Sequence, residues 1–196
     1  MITSAWKVIA GSHVLLDYAC RYNYSSFYLP SCVSVQKYSQ NANYEDHNPI
    51  RLGWIGSEST LKQLDLLEKP FQYLLLNHYD FEFFVAGTRK LCHGLSNIPD
   101  LRMIEIPEYD DDDLPSLVKE IDIGLMPLFD TPSEQGKCGL KAIIYMAGGI
   151  PTICSPVGAA LTIIQNGKNG YLAETKAEWG KILANLIDDI ELRKRI

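Results

Sequence analysis

Two short stretches carry residue types and spacings that suit an anionic ligand. The first is Gly56-Ser57-Glu58-Ser59-Thr60, between an apolar run and a helical pattern. A glycine there lets backbone amides approach a phosphate, and the helix start adds partial positive charge. Ser57, Ser59 and Thr60 offer hydroxyls, and Lys62 is near enough to reach back. The stretch is neither the dinucleotide fingerprint nor a Walker loop. A plain Ser/Thr-capped turn accounts for it as readily as a phosphate cradle. The second stretch is Gln135-Gly136-Lys137-Cys138-Gly139-Leu140-Lys141, again placed between a strand pattern and a helix. Lysines at a helix N-terminus oppose the macrodipole, a poor arrangement for stability alone, and an anion between them resolves the conflict. Lys137 is expected to make the stronger contact, because Lys141 falls in the first helical turn, where its stem can pack instead.

Other chemistry-bearing residues read more plainly. The acid run Asp110-Asp-Asp-Asp113 after Glu108 has the oxygen ligands a divalent cation takes, but acids before a helix suit its N-terminus and solvent. Cys138 sits beside Lys137, which favours a thiolate, yet no histidine is close in sequence to act as its base. His13, His47, His78 and His93 lack ligand spacing, and Arg89-Lys90 after Gly87 reads as solvated charge or a second anion contact. No metal site and no cofactor are expected.

The elements that must hold these turns alternate. Val8-Ile-Ala10 reads as a strand, Gly11-Ser12 as a cap, His13 to Arg21 as a helix and Phe27-Tyr-Leu29 as a strand. Residues 39–49 are polar, end in Pro49, and read as a linker. Strands are then expected at Ile50–Ile55, Phe81–Ala86, Leu101–Ile106, Ile123–Leu128, Thr152–Cys154 and Tyr171–Ala173. Helices are expected at Thr60–Leu67, Phe71–Leu76, Asp111–Ile121, Leu140–Ala147 with a Gly148-Gly149 stop, Ala159–Gln165 and from Lys176 onward. Trp179 to Ile196 reads as one amphipathic helix without a C-cap glycine, so both ends of the chain look cut. Short apolar strands separated by helices imply an α/β fold: a doubly wound, Rossmann-like, mainly parallel sheet with helices on both faces. Ligands of such sheets bind at the carboxyl ends of the strands.

Composition agrees. A chain of 196 residues, 46% hydrophobic and 21% charged, has ordinary globular balance. Its 18 basic and 24 acidic side chains give a net charge of −6, which argues against a nucleic-acid partner. Five cysteines, odd in number and without zinc spacing, suit a reducing cytoplasm. No stretch is long enough for a transmembrane segment, and the start lacks the apolar run of a signal peptide.

From Ile50 onward the order of motifs resembles the carboxyl-terminal domain of GT-B-fold glycosyltransferases of glycosyltransferase family 4. The resemblance rests on Gly53-Trp-Ile-Gly-Ser57, Phe84-Val-Ala-Gly87, Asp122-Ile-Gly-Leu-Met-Pro-Leu128, Gly136-Lys-Cys-Gly-Leu-Lys141 through Tyr145-Met-Ala-Gly-Gly-Ile-Pro-Thr-Ile-Cys154, and Gly158 through Asn166-Gly-Lys-Asn-Gly-Tyr-Leu172. Val8-Ile-Ala-Gly-Ser12 and Leu29-Pro-Ser-Cys-Val33 look like the tail of the preceding acceptor domain. The resemblance implies residues 1–38 as that tail, 39–49 as linker and 50–196 as a domain binding a nucleotide-diphosphate sugar. It further implies sugar transfer with retention of configuration to a glycan or lipid-linked acceptor, without a metal, in the cytoplasm or at a membrane surface. Most of the acceptor domain would be missing. The ligand contacts it implies are Gly56, Ser57, Lys62, Gly136, Lys137, Cys138, Gly139, Leu140 and Lys141. Ser57 stands where family members often carry arginine, and Gly136 and Ile144 stand where they often carry two glutamates. Those departures keep a non-catalytic sugar-nucleotide or scaffolding module open. An unrelated doubly wound domain binding a phosphate ligand also remains open.

Overall fold

The computed structural model describes residues 2–38, 48–88 and 93–196. Most of the expected linker, together with Arg89, Lys90 and Cys92, lies outside the described residues. A single 3-10 turn at Ile2–Ser4 is followed by β1 (Val8–Ala10), α1 (His13–Cys20), β2 (Ser26–Tyr28) and α2 (Val35–Tyr38). After these come β3 (Ile50–Ile55), a 3-10 helix (Glu58–Leu67), α3 (Glu68–Leu76), β4 (Phe81–Ala86), α4 (His93–Ser96), β5 (Met103–Ile106) and α5 (Leu114–Lys119). The remainder is β6 (Ile123–Met126), α6 (Pro132–Gln135), α7 (Leu140–Ala147), β7 (Thr152–Cys154), α8 (Ala160–Ile163), β8 (Tyr171–Leu172), α9 (Lys176–Asp188) and α10 (Ile190–Arg195).

Strands β3 to β8 form one six-stranded sheet in the order β5-β4-β3-β6-β7-β8, and each neighbouring pair is parallel. The order reverses between β3 and β6, which is where a doubly wound sheet opens a crevice. Apolar residues on both faces of each central strand explain why helices cover both. Leu52, Trp54, Phe83 and Val85 point into a cluster with Leu64, Phe71 and Trp179, from the 3-10 helix, α3 and α9. Ile55, Phe84 and Ala86 point the other way, against Leu117, Val118, Ile144 and Tyr145 of α5 and α7. Burying such side chains stabilises the sheet by about 1.5–3 kcal/mol each.

Strands β1 and β2 form a separate parallel pair, with Ile9 opposite Phe27. Both are about half exposed or more, at 66% and 51%, so one face of this pair is open to solvent. The segment nonetheless touches the larger sheet's helices. Tyr38 of α2 is buried with Leu117 and Tyr145, and Ser12, the cap of α1, donates its hydroxyl to Gly136 O at 3.0 Å.

Several boundaries differ from expectation for local reasons. The single helix expected from Trp179 to Ile196 breaks at Asp189, whose extended backbone ends α9 and whose carboxylate accepts from Leu192 N–H to start α10. The helix expected from Asp111 starts at Leu114, because Asp113 accepts from Asp110 N–H and folds the acid run into a turn. The Thr60–Leu67 segment is 3-10 and begins at Glu58, while the following helix begins at Glu68 with Pro70 in its first turn. The strands expected at Leu101, Leu128, Leu29 and Ala173 are each shorter at that end, and the Ala159–Gln165 helix contracts to Ala160–Ile163. Three α-helical segments of one turn each, α2, α4 and α6, form where no element was expected.

Candidate functional site

At the carboxyl ends of β3 and β6 lies a cleft of about 500 Å³. Its walls include both expected turns, with Gly56, Ser57 and Thr60 from one and Gly136, Lys137, Cys138, Gly139, Leu140 and Lys141 from the other. Sequence positions some eighty residues apart are thus brought together by the crossover from β3 to β6. Lys62 is exposed on the 3-10 helix and is not among the side chains lining the cleft.

The first turn spends its hydroxyls on itself. Thr60 donates its hydroxyl to Ser57 O at 2.9 Å, and the Ser57 and Ser59 hydroxyls lie 2.9 Å apart. Gly56 is needed for close approach: a Cβ there would collide with the Trp54 ring and come within 2.9 Å of Lys141 Nζ. The turn therefore offers backbone and space more than free side-chain donors.

The second turn is built in two steps. Thr131 caps α6 by accepting from Glu134 N–H, and Lys137 then pairs with the Glu134 carboxylate, which is only 8% exposed. Gly139 takes a left-handed conformation at φ 72° and turns the chain into α7, a geometry that favours glycine. That turn sends Lys141 back across the cleft mouth. Its Nζ sits 4.4 Å from the Trp54 ring centroid, above the end of β3. Below it, Tyr145 accepts from Ile55 N–H at 2.9 Å and locks α7 to β3.

The two lysines thus differ from the sequence expectation. Lys137 is committed to a buried carboxylate, whereas Lys141 reaches the cleft. Burial, with a further push from Lys137 that Glu134 partly offsets, lowers the Lys141 pKa from 10.5 to about 8. Burial raises the Tyr145 phenol well above its usual range, and it raises Tyr109, with help from Asp111.

Sequence reasoning missed Tyr109 and read Asp111 only as part of a solvated acid run, whereas both line the cleft. Their signal was position: they follow β5 as Gly56 follows β3. Ile144 is 7% exposed and lies in the cleft wall within an apolar cluster, and Gly136 packs against Leu15. Cys138 lines the cleft near Gly11. Among the described residues no group of three metal-ligating side chains occurs, and no helix is long and apolar enough to cross a membrane.

Comparison with known proteins gives a consistent result. The family model described as "Glycosyl transferases group 1" matches residues 49–189. A D-inositol 3-phosphate glycosyltransferase from Salinispora arenicola is 31% identical over 90 residues, which are 45% of this chain and 19% of that protein. The solved C-terminal domain of a glycosyl transferase group 1 family protein (LpcC) from Francisella tularensis has a TM-score of 0.61 at 21% identity, covering 85% of this chain and 88% of that one. HepE from Anabaena, solved in complex with UDP and glucose, has a TM-score of 0.73 at 15% identity, covering 97% of this chain and 56% of that one. The chain therefore spans about a fifth of the curated relative and little more than half of HepE.

Proposed function

Since the chain belongs to the group 1 glycosyl transferases, we propose that its cleft binds the diphosphate of a nucleotide-sugar donor. The sugar would pass, with retention of configuration, to a glycan or lipid-linked acceptor. The observation that carries this reading is the meeting of two strand-to-helix turns beneath one ammonium group, Lys141 Nζ, at the carboxyl edge of a parallel sheet. Negative charge grows on the diphosphate as the glycosidic bond breaks, and fixed cations and helix-end amides stabilise it without reorganising. Gly56, the backbone of Ser57 and of Gly136 to Leu140, and the Lys141 ammonium are the groups we assign to donor contact. Lys62 serves from the rim if the ligand extends over the 3-10 helix. HepE's complex with UDP supports this class of ligand.

We assign residues 50–196 to the donor side and 1–38 to the acceptor side, joined through 39–49. The open face of the β1–β2 pair and the greater length of the relatives support this. Positioning donor and acceptor together contributes ~7–11 kcal/mol to such reactions, so this chain alone should bind donor but transfer little sugar. A panel of nucleotide-diphosphate sugars screened by thermal shift tests the reading, because a ligand of the folded state raises Tm. No shift with any member would overturn it.

A specific observation favours a second reading. Gly136 and Ile144 leave the α7 wall without a carboxylate, as a non-catalytic sugar-nucleotide module would have it. Donor binding with no turnover, even when an acceptor half is supplied, would select it.

A further inference from the structure

We propose that Lys141 is the group that receives the ligand's phosphate in this cleft, and that it does so by taking up a proton. The inference rests on the nucleoside-diphosphate reading and adds to it which residue binds and how pH controls it.

Two basic side chains line the cleft, Lys137 and Lys141. Lys137 is held by Glu134, a carboxylate buried beneath it. Among the described residues, no carboxylate lies within ion-pair distance of Lys141. Its contact is the face of Trp54, whose ring is fully buried and whose indole N–H has no hydrogen-bond partner. Gly56 keeps the path to Nζ open at the end of β3, where any Cβ would intrude within 2.9 Å. An indole face attracts a cation weakly compared with an anion. The site therefore holds a lysine whose charge is disfavoured until an anion arrives.

The groups facing it decide the direction. Lys137 and burial disfavour the ammonium, and Glu134 favours it less strongly, leaving a pKa of about 8. Tyr145 on the same helix and Tyr109 across the cleft are pushed upward by burial, so both phenols stay neutral near that pH. Asp111 and Cys138 complete the surrounding wall. A phosphate placed over Gly56 restores the ammonium, so binding near pH 8 draws a proton from solvent.

Calorimetric titration of the full chain with UDP at pH 8, in HEPES and in Tris, measures that proton. Uptake of about half a proton per UDP is expected, with Kd weakening roughly eightfold from pH 7.5 to 9. Lys141→Arg, which keeps the charge but does not titrate here, should bind UDP with no uptake and a flat profile. Lys168→Met, at an exposed lysine outside the cleft, should keep both signals. UDP binding without uptake, or uptake that survives in Lys141→Arg, overturns the inference and leaves the donor reading standing. If neither UDP nor inorganic pyrophosphate binds, both fail. Independently, the ligand-free amine can be followed by NMR of the reductively 13C-methylated chain. A Lys141 midpoint near 8 supports the inference, and one near the ordinary lysine value refutes it.

Discussion

The two turns that wall the cleft solve the same problem with different materials. Gly56–Thr60 closes its hydroxyls upon its own backbone and contributes a gap between β3 and its neighbours. Gly136–Lys141 contributes charge, but only after sorting it: one lysine goes to a buried glutamate and the other to the open cleft. Two lysines four residues apart on one short stretch therefore have opposite fates. The difference teaches that a cation's usefulness depends on what already neutralises it, which spacing does not reveal.

The comparison can be broken most forcefully at Gly56. Gly56→Ala places a methyl against the Trp54 ring and beneath Lys141, so overpacking should cost about 1–3 kcal/mol of stability. UDP binding should fall below detection. Urea unfolding and titration check both, and a stable variant that binds normally would show that the gap has no role.

Lys141→Met sharpens the charge side of the comparison. Loss of a charge-assisted hydrogen bond, about 1.5–3 kcal/mol, should weaken UDP roughly 10- to 100-fold while free uridine binds unchanged. Stability should move oppositely. The folded-state pKa of Lys141 lies below its unfolded value, so the penalty is complete below about pH 8 and fades as pH rises toward 10.5. The variant should accordingly be more stable than wild type at pH 7, by up to about 3 kcal/mol, and lose that advantage near pH 10.5. Unfolding curves at the two pH values measure this.

Lys137→Ala should do the reverse. It strands the Glu134 carboxylate, so stability should fall by about 1–3 kcal/mol while UDP affinity changes less than threefold. A large affinity loss without a stability loss would reinstate Lys137 as the ligand contact. The smallest effect is expected from Ser57→Ala, whose hydroxyl is engaged with Ser59: under twofold in Kd by the same titration.

Much of the fold was legible because the strands carry apolar residues on both faces and are punctuated by glycine and proline. Ile50–Ile55, Phe81–Ala86, Leu140–Ala147 and Thr152–Cys154 have the expected bounds. Asp189 illustrates what was not legible. An acid at the end of one amphipathic pattern is also a cap for the next, and periodicity alone cannot separate the two. At the site, glycine-flanked turns gave away the two walls from α7 and β3. Tyr109 escaped, and Asp111 read as solvated, because nothing local marks a residue as facing a cleft formed by strand order. The pairing of Lys137 with Glu134 was not legible because Glu134, although three residues before Lys137, becomes its partner only once α6 forms.

The most direct test of the central claim is a crystal structure of the chain soaked with UDP. The account predicts the diphosphate between the Gly56 and Gly139 turns, within hydrogen-bonding distance of Lys141 Nζ. UDP bound elsewhere on the sheet, or bound in the cleft with its phosphates turned away from Lys141, would contradict it.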